Sequence, residues 1–296
     1  MKVSKGKQLT PWKWLLAGTE GIGKTTFGAT CPAPLFASCE DGANELDVAR
    51  VQVETLGDFV ELVDALTTDA QKFEREHDLP TTQTLVIDTV DALEGLIVDD
   101  VCRRNKWGNI EDAGYGKGYV AVHAEWRALL AKIERMQRAT KLQVLSIGHV
   151  HVKKYTPPDS EPYDRFDIKL NEKSSAILRE WHDAVFFAQH EVVVAKANGE
   201  SKKRGFATGD RVIRTEETAA WRAKNRYGLP STMRLDAGTY AEIEKHRTRD
   251  HRADLEALLV GVDAEKAAKA RAWFETQANK SLALAKLAER ITGKAA

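Results

Sequence analysis

Cysteine is scarce in this 296-residue chain: Cys31, Cys39 and Cys102 stand far apart, with no CxxC pair among them. Such spacing offers neither a disulfide framework nor the paired thiolates of a structural zinc, and it fits a reducing interior. Long apolar runs are missing as well, and none approaches the roughly 20 residues that a membrane span requires. Met1 to Thr10 are basic and polar with no apolar stretch, so no signal peptide is expected. These absences lead to the expectation of a soluble, cytoplasmic protein with no membrane partner. Net charge is missing too, since 44 Lys and Arg balance 44 Asp and Glu. Bulk charge therefore gives no footprint for nucleic acid. The balance is local, however: residues 40–100 hold 17 acidic against 3 basic side chains, and residues 196–236 hold 10 basic against 5 acidic. Basic segments thus remain as candidate contact sites.

What is present is organised around Gly18-Thr19-Glu20-Gly21-Ile22-Gly23-Lys24-Thr25-Thr26. This fits the Walker A pattern, GxxxxGK followed by Ser or Thr, and it lies between an apolar run (residues 12–17) and a helix-compatible segment. Glycines let backbone N–H groups turn inward around phosphate oxygens. Lys24 can reach β- and γ-phosphates, the Thr25 hydroxyl can ligate Mg²⁺, and the helix opened by Lys24 adds the positive end of its dipole. The pattern predicts binding of a nucleoside triphosphate.

Further strands are expected at Pro34–Cys39, Leu85–Thr89 and Leu142–His149, each short and apolar, with helices at Phe59–Phe73, Asp91–Asn105 and Val120–Arg138 between and after them. Leu85-Val86-Ile87-Asp88 has the Walker B form, in which a buried strand delivers a carboxylate towards the Mg²⁺ that Thr25 also holds. Thr89 follows it where many ATPases carry a glutamate base. That raises Glu40, read as one strand over from the phosphate loop, as the group that activates water, with Asp91 as the alternative. His149 ends its strand where it can sense the γ-phosphate, or it is an ordinary strand-end histidine; no carboxylate or Cys partner at metal-ligand spacing accompanies it. Residues 107–119, rich in glycine and aromatics, read as a structured turn or as a mobile loop able to stack on bases. Lys153–Asn171, broken by Pro157, Pro158 and Pro162, reads as a long loop. Glu172–Trp181 is expected to be helical, followed by β-like runs at 184–187, 191–195 and 211–215 with a hairpin turn at Asn198-Gly199. A basic, aromatic segment, Trp221 to Pro230, precedes a helical tail from Thr239 to about Ile291, to which no chemistry is assigned.

With these residues in place the chain resembles the RecA-like P-loop ATPases, and more closely the phage-encoded ATP-binding proteins of the Sak single-strand-annealing group. The resemblance covers about residues 10–236 and rests on Gly18–Thr26, Leu35–Gly42, Leu85–Thr89, Ile147–His149 and Ala223-Lys224-Asn225-Arg226-Tyr227-Gly228-Leu229-Pro230. It implies an α/β RecA-like core over residues 1–236, a mostly parallel sheet flanked by helices, with residues 237–296 as a helical C-terminal extension. It implies ATP and Mg²⁺ as cofactors, Glu40 as catalytic base, and His149 in a sensor place that relatives often fill with Gln. Lys224 and Arg226 match a basic finger that completes a neighbouring subunit's ATP site, so the resemblance implies a homo-oligomer with ATP sites at subunit interfaces. By position alone, residues 107–119 and 152–171 correspond to DNA-binding loops. The expected function is an ATP-hydrolysing phage recombination protein acting on single-stranded DNA in the host cytoplasm, with a single-stranded-DNA-binding protein as a further candidate partner. The rival expectation is a nucleotide-dependent loader or regulator that binds a protein and not DNA.

Overall fold

The computed structural model describes residues 9–159, 161–196, 203–277 and 280–292. Its first strand, β1 (Lys13–Gly18), is followed by α1 (Lys24–Ala29), β2 (Pro34–Ser38), β3 (Ala49–Gln52) and α2 (Leu56–Glu76). Then come β4 (Thr84–Asp88), α3 (Val90–Asn105), α4 (Lys117–Thr140), β5 (Gln143–Tyr155), β6 (Tyr163–Ile168) and α5 (Glu172–Trp181). The order closes with β7 (Ala184–Lys196), β8 (Lys203–Arg214), β9 (Thr232–Arg234) and the helices α6 (Thr239–Thr248), α7 (His251–Leu258), α8 (Ala264–Thr276) and α9 (Lys280–Thr292).

Along the sheet the strands run β3-β2-β4-β5-β1-β7-β8-β9, with β6 paired to β5 off this path. The stretch from β3 to β7 is parallel, and β8, β9 and β6 pair antiparallel. The expected α/β architecture, a mostly parallel sheet flanked by helices with a helical C-terminal part, is what the chain adopts.

Strand side chains alternate between the two faces of a sheet, and here each face is covered. Leu15, Ala17, Leu35, Ala37, Leu85, Ile87, Val144 and Val185 point to one side, against α2, α3, α4 and α5. Trp14, Leu16, Phe36, Val86, Leu145, Ile147 and Phe186 point to the other, with Phe27 of α1 and Ile243 of α6. Burial on both faces explains why these strands read as continuous apolar runs with no polar alternation. Helix α4 presents Val122, Trp126, Leu129, Leu130, Ile133 and Met136, the stripe its 3.6-residue period predicts, and all six are buried. Helix α2 starts on a capping box, Thr55 accepting from the Asp58 N–H while the Asp58 carboxylate accepts from the Thr55 N–H. Trp12 and Trp14 stack at a centroid distance of 3.8 Å below α6. Beyond α6, Leu255, Leu259, Phe274 and Leu287 form a separate small core within α7–α9.

Two expectations need correction. Lys153–Asn171 is not a long loop: β5 continues to Tyr155 and pairs with β6 in register from Val150↔Ile168 to Tyr155↔Tyr163. The prolines that suggested a loop, Pro157 and Pro158, lie beyond the end of β5 at the turn of this ribbon. The β-like runs at 184–187 and 191–195 are one strand, interrupted by a register shift between His190 and Val192. Short β3 and β9 were not foreseen. The Asn198-Gly199 turn lies outside the described residues. In the 107–119 segment, Trp107 packs against the core, Ile110–Ala113 form a 3-10 turn, and Tyr115 projects fully into solvent. No helix among the described residues is long and apolar enough to cross a membrane.

Candidate active site at the strand ends

Sheet register lines up four strand ends. Ser38 pairs with Asp88, Asp88 with Ile147, and Gly18 with His149. The carboxyl ends of β2, β4, β5 and β1 therefore form one row, the place where open parallel sheets gather ligands. Glu40 follows β2, Asp88 ends β4, His149 lies on β5, and the phosphate loop leaves β1. Glu40 is consequently three strands from the phosphate loop, not one as its chain position suggested, because β4 and β5 insert between them.

The phosphate loop has the conformation that its glycines permit. Gly21 and Gly23 take φ of 70° and 99°, left-handed values that strain a residue bearing a Cβ. Lys24, almost fully buried, folds back so that its ammonium donates to the carbonyls of Gly18 (3.2 Å) and Thr19 (2.9 Å). Burial lowers its pKa, opposed by the negative charges of Asp88, Asp91, Glu40 and Glu20. Helix α1 is only six residues long, so its dipole is short and anion affinity here rests mainly on the loop N–H groups and Lys24.

Three oxygens converge opposite the loop. A Cβ placed on Gly42 would stand 3.7 Å from Thr25 Oγ1, 3.8 Å from Glu40 Oε1 and 3.9 Å from Asp88 Oδ2. Asp88 is buried, and neither of its carboxylate oxygens has a well-formed hydrogen bond among the described residues. Desolvation pushes its pKa up to about 6; the nearby Thr25 hydroxyl and the charges of Lys24 and His149 act the other way, while Glu40 adds to the rise. A buried, orphaned carboxylate next to a hydroxyl is costly unless a cation or proton compensates it. Thr25 and Asp88 therefore fit the hard, oxygen-liganded Mg²⁺ expected there.

Beside this group sits a hydrogen-bonded relay. Asp91, in the first turn of α3, accepts from the backbone N–H of His149 at 2.9 Å with one oxygen and lies 2.9 Å from its Nδ1 with the other. Burial alone would raise the Asp91 pKa, but the two bonds from His149 outweigh it and hold the carboxyl below its ordinary value. The same contact raises the His149 pKa against the effects of burial and of Lys24. With Nδ1–H assigned to Asp91, Nε2 faces Glu40 Oε1 at 4.0 Å. Glu40 Oε2 in turn accepts from the Thr89 hydroxyl at 3.4 Å. Two carboxylates thus stand beside His149, which sequence spacing did not reveal, since Asp91 and His149 are 58 residues apart. Donor atoms of Glu40, Asp91 and His149 lie within 4.8 Å of one another. The Asp91 bond to Nδ1 makes them a relay rather than an open metal set.

Lys224 and Arg226 lie elsewhere. The Lys224 backbone bridges Val185, which is level with Leu15 near the start of β1. Its ammonium donates to the carbonyls of Arg179 (3.0 Å), Glu180 (3.2 Å) and His182 (2.6 Å), closing the C-terminal end of α5. Arg226 is exposed, with one 3.4 Å contact to Asp183. Both stand at the amino-terminal end of the parallel strands, away from their own chain's phosphate loop.

A family model described as an AAA domain matches residues 10–227. The chain belongs to this AAA-domain family. The match spans the phosphate loop, Glu40, Asp88, His149 and the Lys224/Arg226 segment, so the AAA domain and the row of strand ends are one unit. A search of curated proteins found no match to the chain.

Because folding raises the Asp88 pKa from 3.8 to about 6, the folded chain holds that proton more tightly than the unfolded one. This contribution favours folding below about pH 4 and is lost as pH rises through 6. At pH 7 without Mg²⁺, Asp88→Asn should therefore raise stability by roughly 2–3 kcal/mol, flatten the loss of stability between pH 4 and 6, and abolish stabilisation by Mg²⁺ with ATP. Urea unfolding at several pH values measures this, and a variant less stable than wild type at pH 7 would contradict it.

Proposed function

We propose that this AAA-domain protein is a Mg²⁺-dependent ATPase that works as a homo-oligomer on single-stranded DNA in phage recombination. The observation that carries the reading is the convergence of Thr25, Asp88 and Glu40 on one point opposite Lys24. In the mechanism, the loop from Gly18 to Thr26, with Thr19, Glu20 and Ile22 between its glycines, wraps the triphosphate, and Lys24 leaves its two carbonyls to pair with β- and γ-oxygens. Mg²⁺ held by Thr25 and Asp88 would offset charge on those oxygens. Glu40, steadied by Thr89, accepts a proton from the attacking water as the new P–O bond forms and the bond to the β-phosphate oxygen breaks, releasing ADP and phosphate. His149, oriented by Asp91, reads the γ-phosphate beside Glu40.

Assembly is supported by the placement of Lys224 and Arg226 at the opposite end of the strands from their own site, out of reach of their own chain's nucleotide and open to a neighbour's. Arg226 needs to release only one exposed contact. Lys224 must give up three hydrogen bonds that close α5, so Arg226 is the readier donor of transition-state charge. DNA contact is supported by β5, which runs from His149 without a break into a ribbon carrying Lys153 and Lys154, and by the exposed Tyr115. Near-neutral net charge and the separate core of α7–α9 support the rival, a nucleotide-dependent module for a protein partner. A single-stranded-DNA-binding protein is one such partner.

Glu40→Gln should lower turnover by about 10²–10⁴-fold with ATP binding retained. Near-normal turnover in that variant, with loss in Asp91→Asn, would move the base to Asp91. Turnover per subunit should rise with protein concentration, and Arg226→Ala should lose that rise while keeping its fold. A wild-type rate independent of concentration across the range of association argues against a shared site. Binding of a labelled oligonucleotide, with and without ATP, should weaken steeply with salt; no binding at low salt in either state would favour the rival.

A further inference from the structure

Two surfaces of matching chemistry lie at opposite ends of the subunit. The first is an apolar groove of about 680 Å³ in the α7–α9 unit, with Leu259, Trp273 and Leu287 on its floor and Lys266, Lys269 and Arg290 on its rim. All three cations are exposed. Asp263 is the only acid lining the groove among the described residues, and it caps α8, accepting from the N–H groups of Glu265 (3.0 Å) and Lys266 (3.2 Å). Lys269 pairs with Glu265 at 2.6 Å, but both ends are exposed, and such a pair is weak. The groove therefore suits an apolar side chain flanked by carboxylates. The second surface is the turn before α4. Gly114, Tyr115 and Gly116 take φ of 65°, 49° and 70° in succession. Left-handed backbone strains an aromatic residue, yet Tyr115 is held there with its side chain wholly in solvent. Exposed Glu111 and Asp112 share the turn, which carries two negative charges between the flanking Lys106 and Lys117. Asp112 fixes it by accepting from the N–H groups of Gly108 (2.6 Å) and Asn109 (3.0 Å). Just below the turn, His123 of α4 lies 2.9 Å from Asn171 before α5, where β6 ends level with Val150. The turn thus belongs to the carboxyl ends of the parallel strands. Arg247 at the end of α6 donates to the Thr10 carbonyl ahead of β1 (3.3 Å), so α7–α9 follow at the amino ends.

We propose that Tyr115 of one copy docks in the α7–α9 groove of the next, with Glu111 and Asp112 meeting Lys266 and Lys269. The inference rests on the homo-oligomer reading and adds the contact that joins the copies. The tyrosine ring packs against Trp273, and such a desolvated aromatic anchor carries much of an interface's energy. The carboxylates beside it meet the basic rim and fix its orientation. A subunit cannot close this contact on itself, because the two surfaces lie at opposite ends. Joining two different surfaces is heterologous and runs head to tail, into a ring or a filament. Arg226 also stands at the amino ends and the phosphate loop at the carboxyl ends, so both contacts fall between the same facing ends. A base could stack on Tyr115 instead, but its phosphates would then meet Glu111 and Asp112.

The test is sedimentation velocity of the full chain, with Mg²⁺ and the imido analogue of ATP, over a range of protein concentrations. Tyr115→Ala and the double variant Lys266→Glu/Lys269→Glu should each weaken association by about 10-fold or more. These side chains are exposed, so both variants should keep their fold. Tyr115→Ala retains an intact groove, and the groove variant retains an intact turn. An equimolar mixture should therefore form dimers, and nothing larger, at concentrations where each variant alone is monomeric. Association of wild-type strength in either variant would overturn the proposal. A mixture no larger than its separate components would do the same, since the two surfaces would not be each other's partners. Tyr115→Ala that associates like wild type but binds a labelled oligonucleotide more weakly would assign Tyr115 to DNA. Wild type that stays monomeric at every concentration would overturn the homo-oligomer reading itself, and this contact with it.

Discussion

Asp88 is a carboxylate buried at the end of a central strand with no well-formed hydrogen bond, and its neighbours answer to that one cost. Burial and Glu40 press it towards the protonated state, while Lys24, Thr25 and His149 favour the charge. Near it lie two further carboxylates, Glu40 and Asp91, against the cations Lys24 and, when protonated, His149. A site with this balance accepts a divalent ion readily. The same excess draws Lys24 inward, to the carbonyls of its own loop, a position it can give up when phosphate oxygens arrive. The groups are thus held in place by strand register, and the charge that would complete them comes from the ligand.

Register also decides which residues can cooperate. The connections β1-α1-β2 and β3-α2-β4 place β4 and β5 between β1 and β2, so Asp88 and His149 occupy the middle of the row with Glu40 and the phosphate loop at its ends. Had β2 lain next to β1, Glu40 would have faced the loop directly; the Asp91–His149 contact follows from the pairing of β4 with β5. Instead Glu40 reaches the site along the row, fixed by the Thr89 hydroxyl, the residue that stands where a glutamate base would otherwise follow Asp88.

The phosphate loop, the Asp-ended strand, the α4 stripe and α5 were legible in the sequence because each is a local pattern: glycines at fixed offsets, an apolar run closed by Asp, a 3.6-residue period. The β5–β6 ribbon was not, because its strands project from the sheet and mix Lys, Arg, His and Tyr with apolar residues, so burial leaves no clean alternation to read. Asp91 and His149 find each other across 58 residues, and Arg211 meets Gly23 across 188; only the fold places such pairs. Lys224 could be read from its motif, but its hold on the end of α5 depends on three carbonyls that no motif contains.

That hold links the 221–230 segment to the row of strand ends. Lys224 ties the 221–230 segment to α5, and α5 packs through Ser175 and Arg179 against Asp167 of the ribbon. The ribbon in turn continues β5 from His149, whose backbone and ring are both clamped by Asp91. A displacement of Lys224 would therefore loosen α5 at one end of a chain of contacts whose other end is His149. The links are short hydrogen bonds and a continuous strand, with no flexible connection between them among the described residues. The 221–230 segment and His149 are thus joined through the same ribbon that carries Lys153 and Lys154 outward.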